Sequence, residues 1–122
     1  MRFFVALGLI VVTLDGLEAL IYREFVLMPG VLLTIHLALY PAFGFFLSRR
    51  GASAATAMQA VVFAALVDVS AGWWLGAIII FGSTIDVRAF LGISMVRPFL
   101  FHTAMGAVGV VVASFARRTR PI

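Results

Sequence analysis

Five ionisable side chains interrupt apolar runs that are otherwise long enough to cross a lipid bilayer. They are Asp15 and Glu18 in TLDGLEAL, His36 in TIHLALY, Asp68 in LVDVSAGWW and His102 in FLFHTAMG. A charge at the centre of a membrane-spanning helix costs about 2.5–3.5 kcal/mol even on the mildest insertion scale. A chain with groups at these places must bury them against one another or bind something that neutralises them. That demand restricts the fold more than any other feature of the sequence.

The rest of the composition sets the class. Of 122 residues, 64% are hydrophobic and 11% charged, and the mean hydropathy is +1.18. Soluble domains are about half apolar and about a quarter charged, so the chain reads as an all-α integral membrane protein. There is no cysteine, which excludes disulfides, thiolate metal sites and cysteine nucleophiles. All nine basic residues are arginine. They gather at the ends of apolar runs rather than along a groove, so the isoelectric point near 11.2 does not point to nucleic acid. No phosphate loop, nucleophile elbow or zinc-helix motif is present.

The expected architecture is a single domain over 1–122, an up-down bundle of four transmembrane helices at about 3–22, 31–47, 55–80 and 97–115. The opening MRFFVALGLIVVTL has no good small-x-small cleavage site after it and is read as an uncleaved first span. Met28-Pro29-Gly30 marks a turn, with Pro29 suited to a helix start. Pro41 removes the hydrogen bond to the Leu37 carbonyl and predicts a kink just below His36. Asp86 and Arg88 beside Phe90 and Leu91 predict a short interfacial helix between the third and fourth spans. For the stretch 75–94 a re-entrant course is the alternative.

Arginine placement predicts the orientation. Arg2, Arg49, Arg50, Arg117, Arg118 and Arg120 fall on one side, while Arg23, Arg88 and Arg97 fall on the other beside Glu24 and Asp86. The positive-inside rule then puts both termini in the cytoplasm, with the inner (plasma) membrane of a bacterium or archaeon as the expected location. Both halves end alike, in Phe46-Leu47-Ser48-Arg49-Arg50 and Phe115-Ala116-Arg117-Arg118. Duplication of a two-span hairpin would produce this, as would the ordinary way in which spans entering the cytoplasm end.

Counting depth from the arginine end at about 1.5 Å per residue puts Asp15, His36, Asp68 and His102 all about 20 Å in, with Glu18 one turn further out. Ala60, Ala64, Asp68, Gly72 and Gly76 recur every four residues, and His102, Gly106, Gly109 and Ala113 form a comparable row, so both rows should face neighbouring helices. Tyr40 lies one turn below His36. Tyr22, Phe25 and Trp73-Trp74 suit an outer aromatic belt. A lone buried histidine or aspartate is often no more than a hydrogen-bond partner to the next helix; five at one level argue for a shared site.

Four functions fit such a site. The first is ion- or proton-coupled transport of a small or cationic substrate, with Asp15, Glu18, His36, Tyr40, Asp68 and His102 binding the ion or substrate. So small a chain would favour a homodimer or larger complex, with the small-residue row of the fourth span as one interface. In length, four spans and an acid in span one it resembles the small multidrug resistance family, although Asp68 and the histidines are additions and no residue role is carried over. The second is a Zn²⁺, Mn²⁺ or Fe²⁺ site at Asp15, Glu18, His36, Asp68 and His102. An enzyme of that kind would act on a lipid-borne substrate whose anionic headgroup is held by Arg23, Arg88 and Arg97. The third is haem b, with His36 and His102 as axial ligands. The fourth is a non-catalytic scaffold subunit; the nine residues from Asp68 to Gly76 are similar to the acid-then-glycine span of the MreD cell-shape proteins.

Overall fold

The computed structural model describes residues 2–25, 29–82 and 95–118. Among them every regular element is helical: α1 (Arg2–Phe25), α2 (Pro29–Arg49), α3 (Ala54–Val67), α4 (Trp73–Phe81) and α5 (Val96–Arg118). A single π-helical turn, Asp68–Gly72, joins α3 to α4 without a break, so the described chain forms four rods. The expected spans fall inside these rods. Of the stretch 75–94, residues up to Phe81 continue the third rod as helix rather than bending back, while the expected interfacial piece, including Asp86 and Arg88, lies outside the described residues.

Local chemistry accounts for the ends. Arg50, Gly51 and Ala52 donate backbone hydrogen bonds to the carbonyls of Phe46, Ser48 and Leu47, closing α2, and Gly51 has a positive φ of 96°. Two residues on, Ser53 caps α3 by accepting the Thr56 N–H at 3.1 Å. Helix α4 ends on Gly82, whose φ of 65° and bond to the Ile78 carbonyl make a left-handed cap. Pro41 lies inside α2, which is helical on both sides of it.

Contacts between glycines and their neighbours give the packing directions. Gly8 faces Phe63 and Val67, and Gly16 faces Leu75 and Ile79, so α1 runs parallel to the α3–α4 rod. Gly44 faces Gly106 and Val110, and Gly109 faces Pro41 and Phe45, so α2 runs parallel to α5. Gly106 against Val61 and Asp68 against His102 make α3 and α5 antiparallel. Directions therefore alternate along the chain, and Arg2, Arg49, Arg50 and Arg117 share one end of the bundle. The row His102, Gly106, Gly109, Ala113 is buried within the chain, where Gly106 meets α3 and Gly109 meets α2. That corrects its assignment as a dimer interface. A Cβ at Gly109 would meet the α2 backbone at Pro41, and one at Gly106 would overlap the Val61 side chain.

The molecule is apolar outside and polar within. Phe3, Leu9, Phe46, Leu66, Leu100 and Phe115 lie exposed on the helix faces, whereas Asp15, His36, Asp68 and His102 are buried. Three rods, α1, α3–α4 and α5, are long and apolar enough to cross a membrane. Leu7, Val11, Tyr40, Phe43, Ala60, Val61, Ala64 and Ala65 form the hydrophobic core, which fills the half between the polar level and the arginine end.

The π turn decides which face of the third rod meets α1. In an uninterrupted α-helix the face holding Phe63 and Val67 would continue to about residues 70–71 and 74. The Trp73 N–H reaches back to the Asp68 carbonyl, five residues away, and the extra residue moves the face that meets α1 to Gly72, Leu75, Gly76 and Ile79. Ser70, at the turn, donates its hydroxyl to the Leu66 carbonyl at 2.5 Å. The four-residue row read from the sequence is thus split: Asp68 faces α2 and α5, and Gly72 and Gly76 face α1.

Candidate functional site

All five ionisable residues meet, together with Tyr40. α1 supplies Asp15 and Glu18 from one face, three residues apart. α2 supplies His36 and, one turn toward the arginine end, Tyr40. Asp68 comes from the first residue of the π turn and His102 from the second turn of α5. Asp68 is 0% exposed, His102 5%, Asp15 7% and His36 9%, and the Glu18 side chain is 12% exposed.

His36 is the hub. Its Nε2 lies 3.4 Å from Asp15 Oδ1 and 3.8 Å from Asp68 Oδ2, and its Nδ1 lies 3.5 Å from Glu18 Oε1. One imidazole therefore touches every carboxylate of the cluster. Asp68 has two further partners: the Tyr40 hydroxyl donates to its Oδ2 at 2.5 Å, and His102 Nδ1 lies 3.0 Å from the same oxygen. The rings of Tyr40 and His102 stack at 4.4 Å and 10°, and those of His102 and His36 at 5.3 Å and 15°. The three rings form a continuous column with the carboxylates along its edge.

Two glycine-related details complete the geometry. Asp15 lies flush against Gly72, where any Cβ would overlap the carboxylate. The acid reaches the centre of the bundle because the π turn presents bare backbone to it at Gly72. Several polar atoms are buried without a hydrogen bond, among them Asp15 Oδ2, Glu18 Oε1, Asp68 Oδ1 and His102 Nδ1. Glu18 Oε1 and His102 Nδ1 are within ion-pair distance of their neighbours but not aligned for a hydrogen bond.

Charge counting says what such a cluster does chemically. Three carboxylates meet two imidazoles, so even with both imidazoles protonated the acids remain in excess by one. In a low-dielectric interior that excess must be met by protons or by another cation. The ligand atoms of Asp15, Glu18 and His36 lie within 4.8 Å of one another, close enough to converge on one ion. The donor set does not suit haem b. Axial histidines face each other through ring nitrogens across a macrocycle, whereas His36 and His102 stack nearly parallel.

Of the arginines expected to hold a headgroup, neither Arg23 nor Arg97 forms an ion pair with the carboxylates of the cluster. Arg23 donates Nη1 to the Ile79 carbonyl at 3.4 Å and lies 3.7 Å from Glu24, which ties the end of α1 to α4. Arg97 is exposed at the start of α5, and Arg88 lies outside the described residues. Sequence reasoning missed the π turn and the bond from Tyr40 to Asp68. It assigned Gly72 to packing alone, and the Asp68-Gly72-Gly76 spacing carries no sign of the extra residue. The chain matches no protein-family model, no curated protein and no solved structure.

Proposed function

We propose that the chain is a four-span membrane protein, with its arginine-rich end in the cytoplasm, that moves a small cation by exchange against protons at the buried cluster. The observation that carries this reading is convergence. All four rods deliver carboxylate or imidazole groups to one level, and their acids exceed their bases. Buried ionisable groups in a membrane interior are expensive, and proton and ion pathways are where they recur. A cluster with spare negative charge binds one positive species at a time, either protons or a cation, and such competition is what coupling requires. His36 suits the exchange because its Nε2 faces Asp15 and Asp68 while its Nδ1 faces Glu18, so the ring can take up a proton on one side and give one up on the other.

The test is transport by proteoliposomes that enclose a pH-sensitive dye, challenged in turn with Na⁺, Mn²⁺, Zn²⁺ and a lipophilic phosphonium. The expected result is a proton flux opposite to at least one of these cations, lost in Asp15→Asn and Glu18→Gln and kept in Glu24→Gln. Equal flux in the wild type and both cluster variants would refute the reading, as would no flux with any of the cations.

A further inference from the structure

From the same cluster we infer a divalent transition-metal site, held by the carboxylates of Asp15 and Glu18 and by the imidazole of His36, with Asp68 and Tyr40 as its outer support. The inference rests on the reading of the cluster as a cation site and names the class of ion it takes.

Three independent features point the same way. First, the donors are arranged as a metal needs them. Asp15 and Glu18 are one turn apart on α1, His36 approaches from α2, and their ligand atoms lie within 4.8 Å of one another. Ligand atoms on one Zn²⁺ or Mn²⁺ centre are about 3–3.5 Å apart, given metal–ligand bonds of about 2.0–2.2 Å. Small side-chain rotations close the difference. Second, buried lone pairs stand ready. Asp15 Oδ2 belongs to a residue only 7% exposed and has no hydrogen-bond partner, and neither has Asp68 Oδ1 on a residue that is 0% exposed. Third, the imidazole is set among carboxylates on both of its nitrogens: Nδ1 lies 3.5 Å from Glu18 Oε1, Nε2 lies 3.4 Å from Asp15 Oδ1 and 3.8 Å from Asp68 Oδ2, and Tyr40 holds the Asp68 carboxylate in place.

The ligand chemistry narrows the ion. Two carboxylate oxygens and one imidazole nitrogen, with no thiolate and no thioether among them, fit Mn²⁺, Fe²⁺ or Zn²⁺ better than the soft Cu⁺. Mg²⁺ and Ca²⁺ prefer all-oxygen sites. The charge balance agrees: a dication offsets two carboxylates on α1 that no arginine or lysine approaches among the described residues.

The experiment uses chelator-treated protein in detergent, with Mn²⁺ or Zn²⁺ alone as the probe. Equilibrium dialysis with elemental analysis is expected to find one ion per chain. Asp15→Asn, Glu18→Gln and His36→Gln should each weaken binding by about tenfold or more, whereas the exposed Glu24→Gln leaves it unchanged. Pulsed electron paramagnetic resonance of the wild type with Mn²⁺ should show coupling to a single imidazole nitrogen; this readout needs no variant to fold. Less than stoichiometric binding to the wild type, affinity unchanged in all three ligand variants, or no nitrogen coupling would overturn the site. Failure here is separable from failure of the transport reading. Metal bound but not moved sinks transport alone, and proton-coupled flux of another cation without metal binding sinks the metal site alone.

Discussion

Gly72 and Tyr40 set the geometry of the cluster without belonging to its ionisable groups. Gly72→Ala places a methyl group where the Asp15 carboxylate lies. The acid must swing away or α1 must separate from the third rod, at a cost of about 1–3 kcal/mol. Thermal unfolding in detergent should show the loss, and cation flux should fall with it; an unchanged melting temperature would mean that Asp15 is not held against Gly72. Tyr40→Phe is a gentler change. The ring stack with His102 survives while the hydroxyl that donates to Asp68 disappears, leaving a buried acceptor short of a partner at about 1–3 kcal/mol. Metal binding should weaken as well, because Asp68 would no longer be steadied behind His36. If Tyr40→Phe left both stability and affinity untouched, the bond to Asp68 would have no supporting role.

At the scale of elements, two features can be tested by changing backbone rather than chemistry. Gly44 and Gly109 each lie against the backbone of the opposing helix, so Gly44→Ala or Gly109→Ala wedges α2 from α5. Each should lower stability by about 1–3 kcal/mol or more, visible as a shift in the detergent or heat needed to unfold the protein. The π turn makes a less obvious prediction. It holds one residue more than an α-helix would, and Ser70 is exposed within it. Deleting Ser70 should therefore restore continuous α-helix while α3 and α4 both keep their faces toward α1, with helical content and melting temperature held. Deleting Ala65 lets the same conversion rescue α4 but turns Asp68 by about 100° away from His36 and Tyr40, so ion flux is lost. The rods themselves were legible because long apolar runs bounded by arginine, glycine and proline leave little choice. The extra residue was not legible: Asp68, Gly72 and Gly76 recur every four residues whether the helix is regular or not, and only the position of α1 distinguishes the cases. The row on α5 misled for a similar reason. Small residues announce close packing without naming the neighbour, and here the neighbours are α2 and α3 of the same chain.

For the molecule as a whole, the level of the polar groups could be read from the sequence because helical rise is constant and the arginines mark a common end. The pairing inside that level could not. Which nitrogen faces which oxygen depends on helix rotation, and periodicity alone placed Asp68 and Gly72 on one face that the π turn divides. The finished arrangement also has a consequence for how the protein is made. Asp15 and Glu18 emerge with α1, but His36 comes with α2, and Asp68 and the bare backbone of Gly72 come later still. A nascent α1 alone would carry two acids into lipid at about 2.5–3.5 kcal/mol each, with none of their partners yet synthesised. Insertion of α1 is then expected to wait for its successors, so that the helices enter together as a group. A reporter fused after residue 27 should show poor membrane integration, rescued by Asp15→Leu with Glu18→Leu, and the difference should vanish when the whole chain is translated. Efficient integration of the unaltered α1 by itself would contradict this order. The acids that form the cluster would thereby also time its assembly, with the first helix delivered early by the ribosome and accepted late by the membrane.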